Sequence, residues 1–191
     1  MEQPSEARTD ANLATRSYER GSRSPPGEDG NGLTLLRASN NLAALGAAVN
    51  LLMGMPAFSG RRFGEWSRIL VGQINRGHYR FVVDADRKIV GFVGWAETSE
   101  DMAERWLRAT GPLPDLQAAE GDCMVLNAWA SRSPEATRFL FRALRRIGSG
   151  KKAVFFKRFY SDGRVRPFRM EANRRSRQEH GERMAGDLPQ A

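Results

Sequence analysis

The apolar rhythm of this chain changes at Gly77, and that change constrains most of what the chain can fold into. Before it, Phe63, Trp66, Ile69, Leu70 and Ile74 recur at helical spacing, so residues 60–77 read as an amphipathic helix. After it, Tyr79 to Val83 and Ile89 to Trp95 are β-branched and aromatic. The turn chemistry of Asp84-Ala85-Asp86-Arg87 between them predicts a hairpin. Upstream, the Ala/Leu-rich stretch from Asn40 to Gly54 predicts a buried helix, closed by Gly54 and then Pro56. Downstream, Ser99 caps a short helix through Met102, Trp106 and Leu107. Residues 111–121 are a Pro-bearing loop, and Met124 to Ala130 is strand-like. Pro134 opens a helix that ends at Gly148. Ala153 to Tyr160 is a further strand, and Arg164 to Arg169 a last extended segment. The order α-α-β-β-α-β-α-β-β predicts an α/β (α+β) fold, a mixed sheet flanked by helices.

Residues 1–37 and 171–191 are polar, charged and rich in Ser, Pro, Gly or Arg. Such composition does not offset the entropy of ordering, so both read as disordered tails around one domain, residues 38–170. The single cysteine, Cys123, has no internal partner, so no disulfide framework is expected. No apolar run approaches the roughly 20 residues that span a bilayer, and the opening MEQPSEARTDAN has no apolar signal region. Cytoplasmic residence is therefore the expectation. The balance of 30 Lys and Arg against 22 Asp and Glu suits acidic partners. Aromatic stacking platforms among the basic residues are missing, which argues against nucleic acid.

The chemistry-bearing residues are few. The two histidines, His78 at a helix-to-strand junction and His180 in the tail, form no metal set with Cys123. Cys123 reads as a buried structural thiol, Glu97 as an exposed carboxylate, and Ser59 and Ser131 as loop serines. Phosphate-binding glycine fingerprints are absent.

Several ordered segments resemble the RTX toxin-activating lysine acyltransferases. These are Leu45-Gly46 with Pro56, Gly77-His78-Tyr79, the strand Ile89-Val90-Gly91-Phe92-Val93-Gly94-Trp95-Ala96, Gly121-Asp122, Leu126 with Ala130, and the late FFKRFYSDGRVRP. The resemblance covers residues 41–168. It implies an acetyltransferase-like (GNAT-like) fold and transfer of a fatty acyl chain from acyl carrier protein to an internal lysine of an RTX-type protein. Acyl carrier protein is then a co-substrate with no bound cofactor, and a homodimer is implied. The family's catalytic His falls on Phe58 and its Asp on Asn127. Phe has no proton to exchange, and Asn keeps the shape of Asp without its basicity. Ser59, Trp95 and Trp129 are the expected substrate contacts, and Arg61, Arg62, Arg145, Arg146, Lys151 and Lys152 the carrier-docking cations. The alternative is a catalytically impaired homologue that binds an acyl carrier, an acyl chain or a client protein.

Overall fold

A computed structural model of the protein describes residues 32–109, 120–160 and 164–172. Among the described residues six strands form one sheet in sequence order: β1 (Thr34–Leu36), β2 (Tyr79–Val83), β3 (Ile89–Thr98), β4 (Cys123–Ser131), β5 (Ala153–Phe159) and β6 (Val165–Glu171). Every neighbouring pair is antiparallel except β4–β5, which is parallel. A parallel pair needs a long crossover, and the helix α5 (Pro134–Ile147) supplies it.

Alternation along the strands builds two cores. One face carries Tyr79, Phe81, Phe92, Ala128 and Ala130, which pack under α1 (Asn41–Met53) and α3 (Phe63–Arg76). Further along that face, Ala96, Val125 and Phe155 pack under α4 (Glu100–Arg108). The opposite face carries Val93, Trp95, Met124, Leu126 and Val154 under Phe139, Leu140 and Leu144 of α5. Local chemistry sets the boundaries: Asn40, Ser99 and Ser133 cap α1, α4 and α5, accepting from Ala43, Met102 and Ala136 N–H. Gly77 ends α3 at φ 72°, in the left-handed region, and the residue-78 N–H returns to the Gln73 carbonyl. The hairpin turn closes on Asp84, whose carboxylate accepts from Lys88 N–H at 2.8 Å.

Two expectations are corrected. Residues 34–36, assigned to the N-terminal tail, form β1 on β2, and the adjacent Leu33 is buried. The helix expected over residues 60–77 starts at Phe63, behind a separate four-residue turn, α2 (Pro56–Ser59), that Pro56 begins. Most of the proposed tails (1–31 and 173–191), residues 110–119 and His180 lie outside the described residues. No helix among the described residues is long and apolar enough to cross a membrane.

Candidate functional site

Among the described residues the sheet opens between β4 and β5. Gly94 pairs with Ala128 but Trp95 pairs with Leu126, so Asn127 is an extra residue on β4. Two residues oppose one, which is a β-bulge, and bulges bend a strand and re-aim its side chains. Parallel pairing of β4 with β5 runs from Cys123–Ala153 to Leu126–Phe156 and stops there. Beyond it, β4 stays paired to β3 as far as Ser131, and β5 stays paired to β6 as far as Phe159. Each strand is held on its outer side, so the facing edges diverge. Asn127 stands at the apex of this split, half-buried.

On the α3 face of the apex lies Gln73, fully buried. Its Nε2 donates to Asn127 Oδ1 in a short contact. The carboxamide lies flat against Gly94: a Cβ built there would sit 2.1 Å from Gln73 Oε1 and 2.4 Å from Cδ. Gln73 Oε1 itself is buried without a partner. The diverging end of β5 is tied elsewhere on the same side. Lys157 Nζ donates to the Ala109 carbonyl at 2.5 Å and lies over the Trp106 ring, and burial pulls its pKa down. The Arg61 guanidinium sits 5.3 Å over the Phe159 ring and joins the α2–α3 loop to β5.

Phe58, the other family position, lies on α2 and packs edge-on against Trp66 at 6.1 Å. Trp66 and Gln73 are seven residues apart on α3, roughly 10 Å along its axis. The two family positions thus lean on one helix, two turns apart. Ser59 is exposed on α2. Trp95 and Trp129 belong to the α5 face, opposite Gln73; the Trp129 ring meets Phe141 at 4.8 Å. Sequence reasoning missed Gln73, although a polar residue seven positions after Trp66, on the apolar stripe of an amphipathic helix, was a readable signal.

Where β4 ends and α5 begins, Ser131, Arg132, Ser133, Pro134, Thr137 and Arg138 line an open groove of about 490 Å³. The helix N-terminus there is already served by an acid. Glu135 is held below the usual carboxylate range by its own backbone N–H, the Ser133 hydroxyl and Arg138, whose Nη2 lies 2.8 Å from Oε1.

A second polar cluster lies on the α5 face of the sheet. The His78 ring stacks on Trp95 (5.8 Å, 10°), with Nε2 3.8 Å from Glu97 Oε1. Lys151 Nζ donates to Glu97 Oε2 at 2.5 Å. Burial lowers the His78 pKa, which Glu97 partly counters. Glu97 is therefore not an exposed carboxylate, and Lys151 is engaged; Lys152 likewise pairs with Glu100. Neither lysine is a free docking cation. Cys123 is buried, its thiol pushed up to about 11 by desolvation and then Asp122. Among the described residues no group of His, Cys, Asp or Glu is arranged to hold a metal ion.

No protein-family model matches the chain, and no curated protein does. Solved structures with a similar course include the loading GNATL domain of CurA from Lyngbya majuscula (17% identity, 68% of this chain and 69% of that chain, TM-score 0.47). The GphF GNAT-like decarboxylase in complex with isobutyryl-CoA is similar at 14% identity (68% and 67%, TM-score 0.49). An acetyltransferase from Corynebacterium glutamicum related to histone acetyltransferase HPA2 is similar at 14% identity (84% and 90%, TM-score 0.40). Among the described residues the strand order and the β4–β5 parallel pair with its helical crossover make the mixed sheet flanked by helices that the sequence predicts.

Proposed function

We propose that the chain is a protein-lysine acyltransferase-like protein: it takes an acyl thioester carried on the pantetheine arm of acyl carrier protein and transfers the acyl group to a lysine ε-amine of an RTX-type protein. The observation that carries this reading is the split at Asn127. A narrow opening inside a sheet offers unpaired backbone edges to a slender amide-bearing chain, which is what a pantetheine arm is. In the reaction the amine nitrogen bonds to the thioester carbonyl carbon, the C–S bond breaks, and the carrier thiol leaves with the proton the amine gives up. Near pH 7 only about one lysine in 2,500 is neutral. Phe58 and Asn127 cannot act as bases, so transfer depends on positioning and carbonyl polarisation and is slow. With Lys151 and Lys152 engaged and Arg61 held over Phe159, Arg62, Arg145 and Arg146 are the docking cations of this reading.

A second reading, a binding module that retains the thioester without turnover, draws on the apolar Phe58–Trp66 contact at a position where the family has a base. Intact-mass spectrometry of a lysine-bearing RTX-type client, incubated with acyl-loaded carrier and this protein, separates the two. A gain of one acyl mass per client supports transfer. A stable complex with carrier and no mass gain supports the module. Neither complex nor mass gain refutes both.

A further inference from the structure

We infer that Asn127 donates the hydrogen bond that polarises the thioester carbonyl, and that Gln73 is the positioning residue that turns the Asn127 amide for this task. The inference rests on the thioester reading above. A carboxamide has an acceptor at one corner and donors at the other. Gln73 Nε2 occupies Asn127 Oδ1 from the α3 side. That leaves Nδ2 pointing away from α3, at the residue where β4 and β5 part. Among the described residues Nδ2 has no hydrogen-bond partner, and Asn127 is only half-buried.

The supporting geometry is built for this side chain. Gln73 is fully buried, and the space it fills exists because residue 94 has no Cβ. The bulge puts Asn127 on the same side of β4 as Ala128, toward α3, which brings its amide within reach of Gln73. As an amine attacks, the carbonyl oxygen gains negative charge, and a donor fixed beforehand stabilises it without reorganising. The family's Asp at this position has no proton to donate when ionised; Asn127 has two. The substitution therefore changes the role of the position instead of emptying it. The opposite orientation of both amides would present Oδ1 to the carbonyl and repel it, so the carbonyl itself reports which is present.

The test is isotope-edited infrared spectroscopy of S-octanoyl-pantetheine, ¹³C-labelled at the carbonyl, bound to the full chain. The bound wild-type complex should show a carbonyl stretch shifted to lower frequency than in water. Asn127→Ala and Asn127→Asp should both lose that shift while binding weakens no more than about tenfold, the range of one hydrogen bond. Gln73→Met, which keeps length and apolar packing, should lose most of it, and adding Asn127→Ala should take nothing further. Aminolysis of the same thioester should fall roughly 100-fold or more in kcat for Asn127→Ala with KM little changed. A bound carbonyl whose frequency is the same in wild type, Asn127→Ala and Asn127→Asp overturns this inference and leaves the thioester reading standing. Absence of any thioester binding to the wild-type chain overturns both.

Discussion

Gly94→Ala is the sharpest perturbation this fold offers. Gly94 lies in the middle of β3, paired to Tyr79 on one side and Ala128 on the other, so its backbone cannot step aside. The added Cβ falls 2.1 Å from Gln73 Oε1, 2.4 Å from Cδ and 2.7 Å from Nε2, all far inside contact distance. Either the sheet strains or Gln73 leaves its place. Overpacking of this kind costs about 1–3 kcal/mol. Loss of the Gln73–Asn127 hydrogen bond adds about 1 kcal/mol. The sum, about 2–4 kcal/mol, corresponds to a fall in Tm of roughly 10 °C for a domain of this size. Urea and thermal denaturation followed by circular dichroism measure it. If the cause is the clash with residue 73, then Gly94→Ala in a Gln73→Ala background should cost much less than in wild type, a coupling of at least about 1 kcal/mol. A Gly94→Ala protein within about 0.5 kcal/mol of wild type, or additive effects in the cycle, would refute the packing argument.

Other outcomes follow from the same fold. His78 has its pKa lowered from 6.5 by burial, so the unfolded chain binds more protons below that pH; stability should fall as pH drops through 6.5, and His78→Phe should flatten that slope in urea titrations at a series of pH values. Cys123, with its thiol pushed up to about 11 and fully buried, should resist iodoacetamide at pH 8 in the native protein and react within minutes in urea, as followed by mass spectrometry. A fragment of residues 38–172 lacks β1 and the buried Leu33, and should be less stable than residues 32–172 by at least about 2 kcal/mol, read from their melting curves.

The elements that sequence made legible are those long enough to show a period. The Ala/Leu-rich α1, the apolar spacing of α3 and α5, the β2–β3 hairpin with its Asp84 turn, the Ser99 cap and the Pro134 start all carry local signals, and only α3 begins later than its residues predict. What escaped was short or conditional. β1 is three residues long after a Gly-Asn-Gly run, too brief for alternation to register, and it is held in place by β2, which lies more than 40 residues away. α2 is a single turn between Met55 and Gly60, so its separation from α3 depends on where the chain bends, not on periodicity. Glu97 reads as a solvated strand end until the fold brings His78 and Lys151 beside it, the latter 54 positions on.

The candidate site was half legible for a related reason. Two of its three parts were visible as local anomalies. Gln73 is a polar residue on an apolar helix stripe, and Gly94 is a glycine inside an apolar strand, a usual mark of a close approach. Neither anomaly names its partner. The third part, the bulge at Asn127, exists only in the register between β3 and β4, and register is a property of two strands that no single segment contains. Once that register is known, the three anomalies explain one another. The missing Cβ at residue 94 leaves room for the Gln73 carboxamide, and the bulge carries Asn127 onto its nitrogen where β4 and β5 part. A buried Gln carbonyl without a partner is a standing cost to stability. A chain selected for stability alone would fill that space with a Leu or Met. Its presence beside the split points to what Asn127 does there, and a Gln73→Met protein more stable than wild type yet unable to polarise a bound carbonyl would show the two demands separated.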